Sequence, residues 1–293
     1  MSSKIKNIAL SLSQTLYIHL KTKHYIYIIF VLLFAYNAYH SLKSSYTTDV
    51  YEEYCMEESI VDEDQDVYHR RDWVSNAKGY CEGYWSYQSI NAKSQKVKEE
   101  IEYPYQTAME DFWGEIYEQL VTRDQWMVDS LANLFEETFN RKELSRVEAA
   151  ELIVNFVQDI EYTFVSTEIC TDYELREYRG RCIGEQKFGI LAPSEFMHTL
   201  KGDCDTRSVL LYALLKKFDY LPIIVVSREY AHAMIAIDLP VTGDHIRYQG
   251  IEYYFWETTA TGWSVGMLPP SMNVLDYWKV ALPPFTLKTS ELL

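Results

Sequence analysis

The chain predicts an α+β fold on three observations. A capped helix with a long apolar stripe opens at Ser145, a second helix opens at Cys204, and three short strand-like runs follow it. Apolar and aromatic residues make up 48% of the 293 residues, enough for a substantial core and too many for a disordered chain. Eleven Gly and eight Pro argue against a loop-dominated protein, and no 20–50-residue period suggests a solenoid.

Taken in order, residues 1–45 carry five Lys and no acid, leaving 22 basic against 43 acidic residues in the remainder. Residues 24–42 hold no formal charge, and as a helix they would span about 28 Å, close to a bilayer's hydrocarbon thickness. Tyr25, Tyr27, Tyr36 and Tyr39 sit towards the ends, where amphipathic rings favour the interface. Four Lys precede the run and Lys43 follows it, so the positive-inside rule puts residues 1–23 in the cytoplasm. The rest is then expected on the periplasmic or other extracytoplasmic side of a single-pass membrane protein. A cleaved signal peptide and a buried core helix are the competing readings of this run. The acidic body repels nucleic acid, whose binding requires phosphate neutralisation; its charge reads first as serving solubility, with attraction of Lys-rich peptides as the sharper alternative.

Residues 46–144 form an expected acidic, largely helical accessory region. Its first part, to Pro104, reads as irregular and disulfide-tied, and 106–140 as helical, with Leu131, Leu134 and Phe135 on one face. Four of the five cysteines lie in polar, Tyr-rich stretches, and two disulfides would use them all. Three pairings exist, of which sequence proximity favours Cys55–Cys81 and Cys170–Cys182. That leaves Cys204 as a single thiol.

The second domain is expected over 145–285. Ser145 and Glu148 make a capping box that opens a helix with Leu152, Ile153, Phe156 and Ile160 on its core face. Residues 204–218 read as a helix, and Pro222 ends that pattern before Ile223–Val226, the first of the strands. Residues 231–238 and 251–257 are the other two, and everything after Pro269 reads as a tail.

The chemistry is expected at Cys204. A helix N-terminus favours an anion there and would lower the thiol's pKa. Gly202 is read as allowing a sharp turn just before it. His232 lies in an apolar strand, where a buried imidazole needs a partner. If 231–238 and 251–257 pair antiparallel around a turn near 243–245, opposing residue numbers sum to about 489, which sets His232 against Glu257. A carboxylate in that place would fix the imidazole's tautomer and stabilise its protonated form. Among the other histidines, His198 is hard to aim back at Cys204 and His245 reads as solvated. The Cys204 backbone N–H is a natural oxyanion donor, and Gln186 is a candidate for the second. Asp203 and Asp205 read as structural acceptors near the helix start. No Walker loop, HExxH or dinucleotide fingerprint is present, and no cofactor or metal is expected.

At these residues the chain resembles the transglutaminase-like superfamily. Leu191-Ala-Pro-Ser-Glu-Phe196 with Gly202-Asp-Cys-Asp205 is similar to the cysteine-bearing segment of bacterial and archaeal transglutaminase-like domains. Phe156–Tyr162 resembles the helix before it, and Tyr254–Thr259 with Gly262–Gly266 resembles the strand that carries the third residue. The likeness covers residues 145–270. It implies a papain-like core, with Cys at a helix N-terminus packed on an antiparallel sheet, and Cys204, His232 and Glu257 as a catalytic triad. The implied activity is that of a cysteine peptidase, amidase or transglutaminase on a protein or peptide substrate. A catalytically silent module that binds a protein partner is the alternative. Thr206 stands where many relatives carry a second acid, and Glu257 where Asp is frequent.

Overall fold

The computed structural model describes residues 55–123 and 128–284. Among them no helix is long and apolar enough to cross a membrane; the expected span at 24–42, with the basic segment before it, lies outside the described residues. Residues from Met56 onward belong to one compact α+β unit.

The chain opens with a three-stranded antiparallel meander, β1 (Glu58–Val61), β2 (Val67–Ser75) and β3 (Lys78–Ser86). This corrects the expectation of an irregular segment there. The strand alternation is hard to see because its inward set mixes Val67, Trp73, Tyr80 and Tyr84 with the polar His69, Ser75 and Ser86. Asn76 and Ala77, both at positive φ, form the two-residue turn that matches hairpin twist. Trp73 stacks on Tyr80 and meets Phe156 edge-on at 5.1 Å, so this sheet shares its core with the next helices. The expected boundary at residue 144 therefore falls inside a common core, and the accessory region is part sheet, part helix.

Three helices follow, α1 (Gln88–Glu100), α2 (Met109–Arg123) and α3 (Asp129–Lys142). The helix α4 (Arg146–Asp159) starts at the expected capping box, with Ser145 accepting from the Glu148 N–H and Glu148 accepting from the Ser145 N–H. Residues 161–186 then make a flap containing β4 (Phe164–Val165), α5 (Asp172–Glu177) and β5 (Cys182–Ile183). The Cys170–Cys182 disulfide closes it. Cys55 and Cys81 are also disulfide-bonded, and Cys204 is free.

Next come α6 (Pro193–Thr199) and α7 (Cys204–Lys217), then β6 (Pro222–Ser227), β7 (His232–Ile237), β8 (His245–Tyr248) and β9 (Ile251–Trp256). The stretch after Pro269 is no mere tail. It supplies β10 (Lys279–Leu282), which pairs antiparallel with β6 at the sheet's edge, and it buries Trp278. The strand was hidden by its short length and the flanking Pro pairs. The sheet runs β10-β6-β7-β9-β8, antiparallel throughout. Its Ile224, Val226 and Ile235 face the helices, while Ile223, Val225 and Met234 pack on the other side with Phe255 and Trp278.

Two buried polar contacts tie α6 to the rest. Lys98 and Glu195, both nearly inaccessible, pair at 2.9 Å, and Lys98 also donates to the Gln186 side chain and the Ile190 carbonyl. On the other side, His69 donates from Nε2 to the His198 carbonyl and accepts at Nδ1 from Ser59. Breaking a buried ion pair strands its partner. Lys98→Met should therefore lower unfolding free energy by about 3 kcal/mol in urea titrations, and the Lys98→Met/Glu195→Met pair should recover part of that. Burial lowers the His69 pKa from 6.5 to about 4. Because the fold prefers its neutral form, the His69 contribution is complete above pH 6.5 and is lost as pH falls towards 4. Acid titration of the melting temperature should show that loss, on the order of 2–3 kcal/mol, and His69→Gln should flatten it.

Candidate active site

The nucleophile candidate is the first residue of α7. Asp203 caps that helix, accepting from the Thr206 N–H at 3.2 Å. Gly202 is required by space, not by an unusual φ: a Cβ there would lie 2.6 Å from the Thr206 methyl and 3.2 Å from the Phe196 ring. The Thr206 hydroxyl in turn accepts from the Leu191 N–H, so the residue in place of a second acid joins α7 to the segment before α6.

His232 begins β7, after a turn in which Ala231 takes a positive φ of 47°. Its ring meets Trp278 edge-on at 6.1 Å. Glu257 follows β9 directly, and His232 Nε2 donates to Glu257 Oε2 at 2.9 Å. The other carboxylate oxygen accepts from the N–H groups of Thr258 and Thr259 at 2.9 and 2.8 Å and from the Thr259 hydroxyl at 2.6 Å. Burial opposes ionisation of Glu257, but the His232 bond and charge and the Thr259 donors prevail, bringing its pKa down to about 2. An ionised carboxylate thus fixes the Nε2–H tautomer and leaves Nδ1 of His232 as the basic nitrogen.

The pairing that brings these residues together differs by two from the expected register. Ile235 faces Trp256 and Ile237 faces Tyr254, so opposing numbers sum to 491. The parity is unchanged, which keeps His232 and Glu257 on one face as diagonal neighbours. The segment at 245–248, expected as loop and turn, is instead the outer strand β8, and His245 on it bonds the Gly243 carbonyl.

Cys204 is only 6% exposed, and its thiol donates to Asp205 Oδ2 at 3.6 Å. The backbone N–H of Ala233, next to His232, also faces the sulfur. Asp205 accepts a second bond from the Tyr117 hydroxyl and interacts with the charge of His232. Asp205 thus accepts from the Cys204 thiol and feels the charge of His232, whose Nε2 is paired with Glu257. The electrostatics run against the expected low thiol pKa. Burial first, then the charges of Asp205 and Asp203, push Cys204 well above the ordinary thiol range. Burial also raises both carboxyls.

Other candidates are committed elsewhere. The Gln186 amide accepts from Lys98 and donates to the Gly184 carbonyl, which removes it as an oxyanion donor in this arrangement. His198 pairs with Ser86, away from the thiol. A cavity of about 540 Å³ lies behind the Glu257 loop, lined by Trp73, Glu151, Gln158 and Trp263, and neither Cys204 nor His232 lines it. No group of three or more metal-ligating side chains is placed to hold an ion among the described residues. Sequence reading passed over Arg207, Gln158 and Tyr117. Gln158 holds the Glu257 carbonyl at 2.6 Å and the Trp263 carbonyl at 2.9 Å. The available signal was an Arg and a Gln on helix faces otherwise filled with apolar residues.

Asp205→Asn removes one of the two charges that hold the thiol protonated. The variant's Cys204 should then ionise at lower pH than the wild type, and the pH profile of alkylation should move to the acid side.

No family model, curated protein or solved structure matches this chain. The reading of the site therefore rests on its own geometry.

Proposed function

We propose that this chain is a thiol enzyme acting on amide bonds of proteins or peptides, within a papain-like core of the transglutaminase-like kind. The observation that carries the reading is the Glu257–His232 pair, with its carboxylate fixed by three further donors, at the strand start that packs against the Cys204 thiol. His232 Nδ1 takes the thiol proton, and the sulfur attacks the substrate carbonyl carbon. The tetrahedral adduct collapses with cleavage of the C–N bond, and the leaving amine takes the proton from His232. A thioester remains. Water, deprotonated by His232, then attacks it, breaks the C–S bond and releases the acid, restoring the thiol. A second amine in place of water would give a crosslink; hydrolysis is favoured because water is the default acceptor.

Since the resting thiol is held protonated, general-base transfer to His232 replaces a preformed ion pair. Substrates of Lys-rich character suit the acidic body, and a membrane anchor at residues 24–42 would set the reaction at an extracytoplasmic surface. The competing reading, a silent module that binds a protein partner, draws on the same buried, carboxylate-flanked thiol.

Iodoacetamide labelling of the purified full chain across pH 5–10, read by mass spectrometry, tests this. Cys204 should be the residue labelled, its rate should climb towards alkaline pH, and His232→Ala should slow it about tenfold at pH 7.5. An inert Cys204, indifferent to His232→Ala, would replace the enzyme with the binding module. Under that outcome Cys204→Ala would keep partner binding intact.

A further inference from the structure

Arg207 lies one turn into α7, on the nucleophile's own helix, and is inaccessible to solvent. A buried guanidinium requires all its donors to be met and normally pairs with a carboxylate. Here no carboxylate among the described residues lies within ion-pairing distance. The fork bonds four backbone carbonyls instead: Nε to Gly202 at 3.2 Å, Nη1 to Val157 at 2.8 Å and Thr258 at 3.1 Å, and Nη2 to Ile160 at 2.6 Å.

Two of these acceptors end α4, and a cation there serves as an ordinary C-terminal cap. The other two do not belong to that role. Gly202 stands two residues before Cys204, and Thr258 is the residue after Glu257. One rigid, planar group therefore fixes the loop that delivers the nucleophile against the loop that delivers the carboxylate. Its charge also lies among Cys204, Asp203, Tyr162 and Glu257, each of which interacts with it. Carbonyl dipoles satisfy its hydrogen bonds without cancelling that charge.

We infer that Arg207 is the positioning residue of the Cys204–His232–Glu257 site and the fixed positive charge that offsets Asp203 and Asp205 when a thiolate forms. The inference rests on the triad reading above. It assigns two separable properties to one side chain: a fork that holds two loops, and a charge one turn from the sulfur. Lysine keeps the second and loses the first, whereas glutamine loses the charge.

The titratable groups that interact with Cys204 are Asp203 and Asp205 from its own helix, Tyr117 from α2, and Tyr162 and Tyr178 from the flap, with His232 of β7 acting on Asp205. All are unchanged in the variants, so a shift in profile reports Arg207. Alkylation of Cys204 by iodoacetamide is followed from pH 5 to 10 in the full-length wild type, R207K and R207Q, with circular dichroism confirming folding. In R207Q the rate at pH 8 should fall at least about tenfold and the profile should move to higher pH. R207K should keep the wild-type profile while losing rate severalfold. A folded R207Q with wild-type rate and profile overturns the inference and leaves the triad reading standing. An inert wild-type Cys204, unaffected by His232→Ala, overturns both. Should R207Q not fold, the wild-type Arg207 Nε–H resonance decides, because alkylating Cys204 should shift it; no shift, with R207K matching the wild type in rate, also overturns the inference.

Discussion

The structure depends on the burial of α7. From Thr206 to Leu215 every residue of this helix is enclosed, with α2, α4, α6 and the sheet around it. A helix in that position has no wet face for polar side chains. The polar residues of its first two turns must find partners inside, and they find them on the segments that surround Cys204. Thr206 holds the Leu191 N–H, Ser208 bonds back to the Cys204 carbonyl, and Arg207 gathers carbonyls from three segments. Enclosure thus turns a hydrogen-bonding requirement into a geometric constraint on the site.

The same enclosure sets the electrostatics. Burial disfavours the thiolate, and in dry surroundings the two aspartates beside the thiol add to that. The helix N-terminus alone predicts a low thiol pKa, and Asp203 even uses its carboxylate to cap the helix. The tertiary environment reverses the sign, through burial of the thiol first and then through Asp205 and the helix-capping Asp203. Glu257 shows the opposite balance. It is buried too, yet four hydrogen bonds converge on its two oxygens and keep it ionised.

The remainder of the molecule braces this centre. The β1–β3 meander holds the end of α6 through His69 and Tyr84, whose hydroxyl donates to the Met197 carbonyl. The Lys98–Glu195 pair holds its start, where Glu195 also accepts from the Ala192 N–H. The glutamate in the Pro193-Ser-Glu195 motif is therefore a structural residue. Four residues, Leu200 to Asp203, separate the end of α6 from Cys204, so both braces fix the approach to the thiol.

By itself the sequence determined the local elements whose signals are local. The Ser145–Glu148 box, the helix from Cys204, the apolar β6 and β7, and the parity that sets His232 and Glu257 on one face all follow from spacing within a few residues. The isolated thiol followed from counting, since four cysteines sat in plausible partner stretches. Tertiary structure decided whatever depends on what packs against what. The meander was concealed by buried polar residues whose partners come from α4 and α6, β10 by needing β6 beside it, and the register by an extra strand that only the sheet reveals. The thiol's raised pKa and the partners of Arg207 were likewise out of reach, because desolvation and long-range hydrogen bonds join residues that lie 50 or so positions apart.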